Sequence, residues 1–166
     1  TILGDEQYVF VVPPDQGPAM VLQASDGKLL GQRQVPTERI AVFGRYVLVW
    51  RDSDKEAVLE LIDPWDEHKV WGSRTFAAHA KYSIVDNELV AVFEPGGRFV
   101  LLEAASGRAH VDAKLQPESV LADIFVLRSP DGYVLVTSGA ESDDQTGRRI
   151  YPLQYGVPSA QVARGL

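Results

Sequence analysis

Cysteine is absent from the 166 residues. That removes disulfides, thiolate nucleophiles and every cysteine-ligated zinc or iron–sulfur site, while leaving reducing and oxidising compartments equally open. Long apolar runs are absent too: none approaches the ~20 residues a helix needs to cross a bilayer, so the chain reads as soluble with no membrane span. Basic residues are in the minority, 16 against 23 acidic, for a formal net charge of -7. They are scattered, and scattered cations cannot neutralise successive phosphates, which argues against nucleic acid as a partner. The same acidic balance disfavours anionic membrane surfaces. Helical periodicity is nearly missing; the segment 117–123 reads as a helical turn or as a strand entry. Residues 1–12 carry Asp5 and Glu6 where a signal peptide would have a basic stretch, as a domain taken from a longer chain also would.

What is present is strand-forming. With 45% hydrophobic and 23% charged residues the chain has the composition of a folded domain, and at this length a domain buries roughly 70% of its unfolded surface. Short runs rich in Val, Ile, Tyr and Phe recur: Tyr8–Val12, Met20–Ala24, Ile40–Phe43, Tyr46–Trp50, Val58–Ile62, Leu89–Phe93, Phe99–Leu102 and Tyr133–Thr137. Turn dipeptides separate them, among them Asp26-Gly27, Asp86-Asn87, Gly96-Gly97, Ser106-Gly107, Asp131-Gly132 and Thr146-Gly147. Runs beginning at Tyr8, Tyr46, Leu89 and Tyr133 stand in corresponding places, and a later run opens on a cation, Lys28, Lys69 or Arg108.

A period near 40 residues with up to four strands and hairpin turns is the pattern of a propeller blade. Tyr46–Trp50 is apolar at five consecutive positions, as suits a strand covered on both faces rather than one alternating in and out. The expectation is therefore an all-β chain, a single propeller-like domain over 1–166. Its antiparallel units are approximately 1–36, 37–77, 78–116 and 117–156, with 157–166 starting a further blade and the first unit lacking a clear innermost strand. A β-sandwich is the alternative, since short strands with regular turns build sandwiches too.

Three stretches carry a more specific likeness: Leu22–Gly31 (LQASDGKLLG), Leu61–Trp71 (LIDPWDEHKVW) and Leu102–Val111 (LEAASGRAHV). They resemble the quinoprotein-type (PQQ-like) propeller repeat, which runs from a strand ending Leu-Asp through a Thr-Gly turn to a cation and a docking tryptophan. The resemblance implies a propeller, a chain that is part of a larger ring, and scaffolds of the bacterial envelope or secreted proteins. It also implies that two copies of four units would make the eight blades usual for that family. Only Trp71 stands at the docking position; Gly31 and Val111 replace tryptophan in the other two units. The resemblance thus supports a scaffold more than a quinone-cofactor dehydrogenase completed by other blades.

No constellation marks catalysis, and none of the residues is assigned a catalytic, cofactor or metal role. His68, His79 and His110 have no ligand spacing and read as surface histidines. Asp52, Asp54 and Glu56 alternate as in a calcium loop, but Ala57 stands where such a loop needs glycine. Glu141, Asp143 and Asp144 form a second acidic tip. Gly-x-Ser-x-Gly and phosphate-binding glycine loops are missing. Trp50 and Trp71 read as core, whereas Trp65, in the turn Asp63-Pro64-Trp65-Asp66, is harder to bury and is the one candidate contact residue. The expected partner is protein: the rest of a larger polypeptide or a second copy.

Overall fold

The computed structural model describes residues 1–139 and 147–154, and every element in it is a strand. The acidic tip at Glu141, Asp143 and Asp144, and the stretch 157–166, lie outside the described residues. The chain divides into two compact units, Thr1–Arg51 with Val58–Arg74, and Asp52–Ala57 with Thr75–Leu166.

In the first unit, β1 (Ile2–Gly4), β2 (Tyr8–Val11), β3 (Ala19–Gln23) and β4 (Leu29–Arg33) form one antiparallel sheet in chain order. The next sheet runs β5 (Arg39–Phe43), β6 (Tyr46–Asp52), β7 (Glu56–Asp63) and β8 (His68–Lys69), again in chain order, and β9 (Arg74–Ala77), off this path, pairs with β7. In the second unit, β10 (Lys81–Ile84), β11 (Leu89–Phe93), β12 (Arg98–Glu103) and β13 (Ala109–Lys114) make a third sheet. The last comprises β14 (Leu121–Ser129), β15 (Gly132–Gly139) and β16 (Arg148–Gln154).

Four consecutive-strand meanders of this kind are propeller-type blades. A sandwich would need Greek-key crossings between two sheets, and the order of strands shows none among the described residues. One expectation needs correction: the first unit does have a strand ahead of β2, since β1 pairs with it through Ile2↔Val11 and Gly4↔Val9. Of the two readings of 117–123, the strand entry is the one observed, since the segment makes no helix and runs into β14.

The turn between the third and fourth strands recurs with a period of 40, and its chemistry shows why the sequence folds this way. Gly27, Glu67 and Gly107 hold φ of 71°, 61° and 68°, and each donates its N–H to the carbonyl four residues back, on Gln23, Asp63 and Glu103. The residue before each, Asp26, Asp66 or Ser106, accepts with its side chain from the backbone N–H of Lys28, His68 or Arg108. This is the side-chain mimic of a turn that Asp and Ser favour. The residue of the second unit's turn that corresponds to Lys28 and Arg108 is therefore His68, and the match of Lys69 with them is off by one. Lys69 instead pairs with Ile62, as Leu29 pairs with Leu22 and Ala109 with Leu102. A second repeated device precedes β2 and β11. Asp5 Oδ1 accepts from the N–H groups of Gln7 and Tyr8, and Asp86 Oδ1 from those of Glu88 and Leu89.

Burial follows the apolar runs. All five residues of β11 are buried, as are Val47–Val49 in β6, which is why those runs do not alternate. The core of the first unit gathers Leu3, Phe10, Val12, Ala19 and Val21 with Val47, Val49 and Ile62. In the second unit Leu89, Phe93, Phe99 and Leu101 pack against Ile124, Leu135, Tyr151 and Leu153.

Candidate functional site

Trp65 is held by the turn that the 40-residue period defines. The buried Asp63, at the end of β7, accepts the Trp65 N–H on Oδ1 at 2.9 Å and so fixes the turn backbone. Tyr8, the first residue of β2, stacks on the indole with centroids 4.6 Å apart and 13° between planes. Arg33, the last residue of β4, lies over the indole at 4.3 Å and donates Nε–H to the Trp65 carbonyl at 2.7 Å. The candidate contact residue is thus half-buried and packed against the core of its unit rather than projecting into solvent.

A second cation continues the stack. Arg45, in the β5–β6 turn, lies 5.0 Å from the ring centre of Tyr8 and 5.3 Å from that of Tyr46. Its Nη2 is 2.8 Å and its Nε 3.0 Å from Asp63 Oδ2, and its Nη1 reaches Gln7 Oε1 at 2.7 Å and Asp5 Oδ2 at 3.3 Å. Burial opposes the guanidinium's charge, but hydrogen bonding and attraction to Asp63, with Asp5 adding to it, hold its pKa above the ordinary arginine value. Asp63 is 1% exposed, so its charge is tolerated only because Arg45 and the Trp65 amide complete its shell.

Beside this stack is an open cleft of about 490 Å³ lined by Glu6, Gln7, Tyr8, Gln23, Ser25, Leu30 and Trp65. Its chemistry is two aromatic side chains and one aliphatic ringed by amide, hydroxyl and carboxylate groups. Such a surface takes a flexible polar chain with an apolar residue better than it takes a compact anion.

Another cleft of the first unit, about 320 Å³, includes Gln34, Glu38, Arg51, Glu60, Ile62 and Lys69 in its lining. Glu60 is buried and accepts from Ser73 Oγ at 2.6 Å, while Lys69 and Arg51 are ion-paired with its two oxygens. Burial pushes its pKa up, but the hydrogen bonds from Lys69, Ser73 and Arg51 outweigh it and hold the carboxyl at about 2. The cations of this cleft are thereby spent on Glu60, and its role is to tie β6, β7 and β8 together.

The remaining candidates disperse. His68 is exposed and pairs through Nδ1 with Asp66; His79 is exposed at φ 64°, and His110 is exposed on β13. Asp52, Asp54 and Glu56 stand exposed at the β6–β7 turn, which Ser53 closes by accepting from Glu56 N–H. Trp50 and Trp71 are half-buried. Asp63, Asp66 and His68 were not grouped from the sequence, although the spacing Asp-x-x-Asp-x-His was legible; their ligand atoms lie within 4.8 Å of one another. Asp63 already gives both oxygens to Arg45 and the Trp65 amide, so the group completes a turn and not a metal shell.

No protein-family model matches this sequence, and no curated protein does. Among solved structures the chain is similar to the N-terminal domain of Nup159, at 13% identity and TM-score 0.49 over 96% of this chain and 45% of that one. It is also similar to BamB from Moraxella catarrhalis, at 13% identity and TM-score 0.39 over 84% of this chain and 39% of that one. The chain spans less than half the length of either. Among the described residues no helix is long and apolar enough to cross a membrane.

Proposed function

We propose that the chain is a non-enzymatic protein-interaction module whose blades, in units of approximately 1–36, 37–77, 78–116 and 117–156, belong to one propeller-like scaffold continued by 157–166. The cleft beside Trp65 takes a segment of a partner protein. The observation that carries this reading is the rigid aromatic stack itself. Trp65 and Tyr8 are fixed by Arg33, Arg45 and Asp63 before any partner arrives, so little side-chain entropy is lost on binding. Gln23 and Ser25 supply polar groups for a peptide backbone, and Leu30 supplies apolar area.

The quinone-cofactor alternative fits the residues less well. Its docking positions are Gly31, Trp71 and Val111, 40 residues apart, and Gly31 sits at φ 143°, a backbone conformation that a tryptophan would adopt only with strain. The ring of Trp65 is already engaged by Tyr8 and Arg33, which leaves no open indole face there for a quinone to stack on.

A photo-cross-linking residue at the exposed position Ser25, used in the native cell, tests the reading. One or a few discrete protein adducts are expected, reduced about tenfold or more by Leu30→Glu, as for loss of an interface anchor. Adducts that are unchanged by Leu30→Glu, or none at all, would overturn it.

A further inference from the structure

Two side chains of the first unit stand where the local turn does not call for them. The β1–β2 turn is closed by Asp5, whose Oδ1 accepts from the N–H groups of Gln7 and Tyr8, and the same device before β11 is closed by Asp86. The residue after the aspartate is Glu6 in the first case and Asn87 in the second, so this turn needs no charge there. The slot of Trp65, counted by the period of 40, holds Ser25 in the first sheet and Ala105 in the third, so that turn needs no indole. Both exceptions line the same cleft.

Glu6 is exposed, and it is the one charged residue among the described lining of that cleft. Among the described residues no ion pair or hydrogen bond engages its carboxylate. The cations that frame the aromatic stack are committed elsewhere, Arg45 to Asp63 and Asp5, and Arg33 to the Trp65 ring and carbonyl. The backbone that carries Glu6 is fixed. Gly4 N–H donates to the Gly44 carbonyl at 3.2 Å, and Ala24 N–H donates to the Gln7 carbonyl at 2.9 Å. The second bond ties the wall bearing Glu6 to the turn after Gln23, so carboxylate and opposite wall keep their spacing.

A segment seated in the cleft strips water from Glu6. A carboxylate losing water without a counter-charge costs free energy, and an acidic segment would add repulsion to that cost. A cation offsets it. An aromatic face is the other group that could hold a cation, but the indole is covered by Tyr8 and Arg33, and the Tyr8 ring by Trp65 and Arg45. Glu6 is therefore the group of this cleft that selects for positive charge. The formal net charge of -7 acts in the same direction by drawing basic segments toward the chain.

We infer that the partner segment taken up beside Trp65 is basic, with a lysine or arginine on Glu6 and an apolar side chain close by in its sequence on Leu30. The inference rests on the reading of this cleft as a protein-binding site and adds the charge of what enters it.

The test is selection of a random-peptide phage library on the full chain, followed by fluorescence-polarisation titration of a selected peptide. Selected sequences are expected to pair Lys or Arg with a nearby Leu, Ile, Met or Phe. Glu6→Gln should weaken the peptide about threefold and Glu6→Lys about tenfold, and selection on Glu6→Lys should put Asp or Glu in place of the cation. Glu6 is exposed, so the fold should survive, as far-UV circular dichroism would verify. Peptides that are weakened by Leu30→Glu but are acidic or neutral, or bind Glu6→Lys as well as the wild-type chain, would overturn the inference and leave the cleft reading standing. Peptides indifferent to Leu30→Glu, or no selected sequence at all, would overturn both.

Discussion

Replacing Glu60 by Gln removes one charge from a carboxyl that two cations and a hydroxyl surround. The magnitude follows from its pKa, about 2 in the folded chain against the ordinary glutamate value of 4.5. At 1.36 kcal/mol per unit the difference corresponds to about 3 kcal/mol of stability. The sign is set by the direction of the shift. A depressed carboxyl stabilises fully above its unfolded value near 4.5, and that contribution is lost as pH falls from there through about 2. Urea unfolding at pH 7 should therefore find Glu60→Gln about 3 kcal/mol less stable, since Arg51 and Lys69 lose their counter-charge. The wild-type chain should lose stability between pH 4.5 and 2, with that loss smaller in the variant by a similar amount. Equal stability of the two at pH 7, or parallel pH dependences, would refute the view that this carboxylate ties three strands together.

Two further substitutions test packing and backbone geometry. The hydroxyls of Tyr151 and Thr137 are buried without a hydrogen-bond partner among the described residues, so Tyr151→Phe should raise stability by about 1 kcal/mol, measured by denaturant midpoint, where a loss would show that the hydroxyl is satisfied. Glu67 holds a left-handed φ where the equivalent turns use Gly27 and Gly107; Glu67→Gly should stabilise by roughly 0.5–1 kcal/mol and Gly107→Ala should cost about as much, and thermal melts showing the opposite order would refute the common turn geometry.

Much of the blade pattern was readable from local chemistry. Runs such as Leu89–Phe93 state by composition alone that both faces are covered, and turn residues such as Asp26-Gly27 and Ser106-Gly107 state where the chain reverses. The period was readable for the same reason. It slips by one in the second unit because Glu67 occupies the left-handed position without being glycine; the cue that marks Gly27 and Gly107 is missing there, and by residue type Lys69 matches Lys28 and Arg108 better than His68 does. β1 was missed because three residues are too short to show a period.

The sequence by itself determined strand, turn and repeat, since these rest on interactions within a few residues of one another. Only the tertiary structure decided what Trp65 does. Tyr8, Arg33 and Arg45 lie 57, 32 and 20 residues away from it in the chain, and no local pattern announces that they will meet on one indole and one buried aspartate. An exposed apolar face on the last sheet was hidden likewise: Phe125 and Leu127 read as ordinary strand residues until register put them in line with Val134, Val136, Ile150 and Pro152. Which face of a strand is left uncovered depends on the sheets around it, and that is a property of packing, not of the strand's own residues.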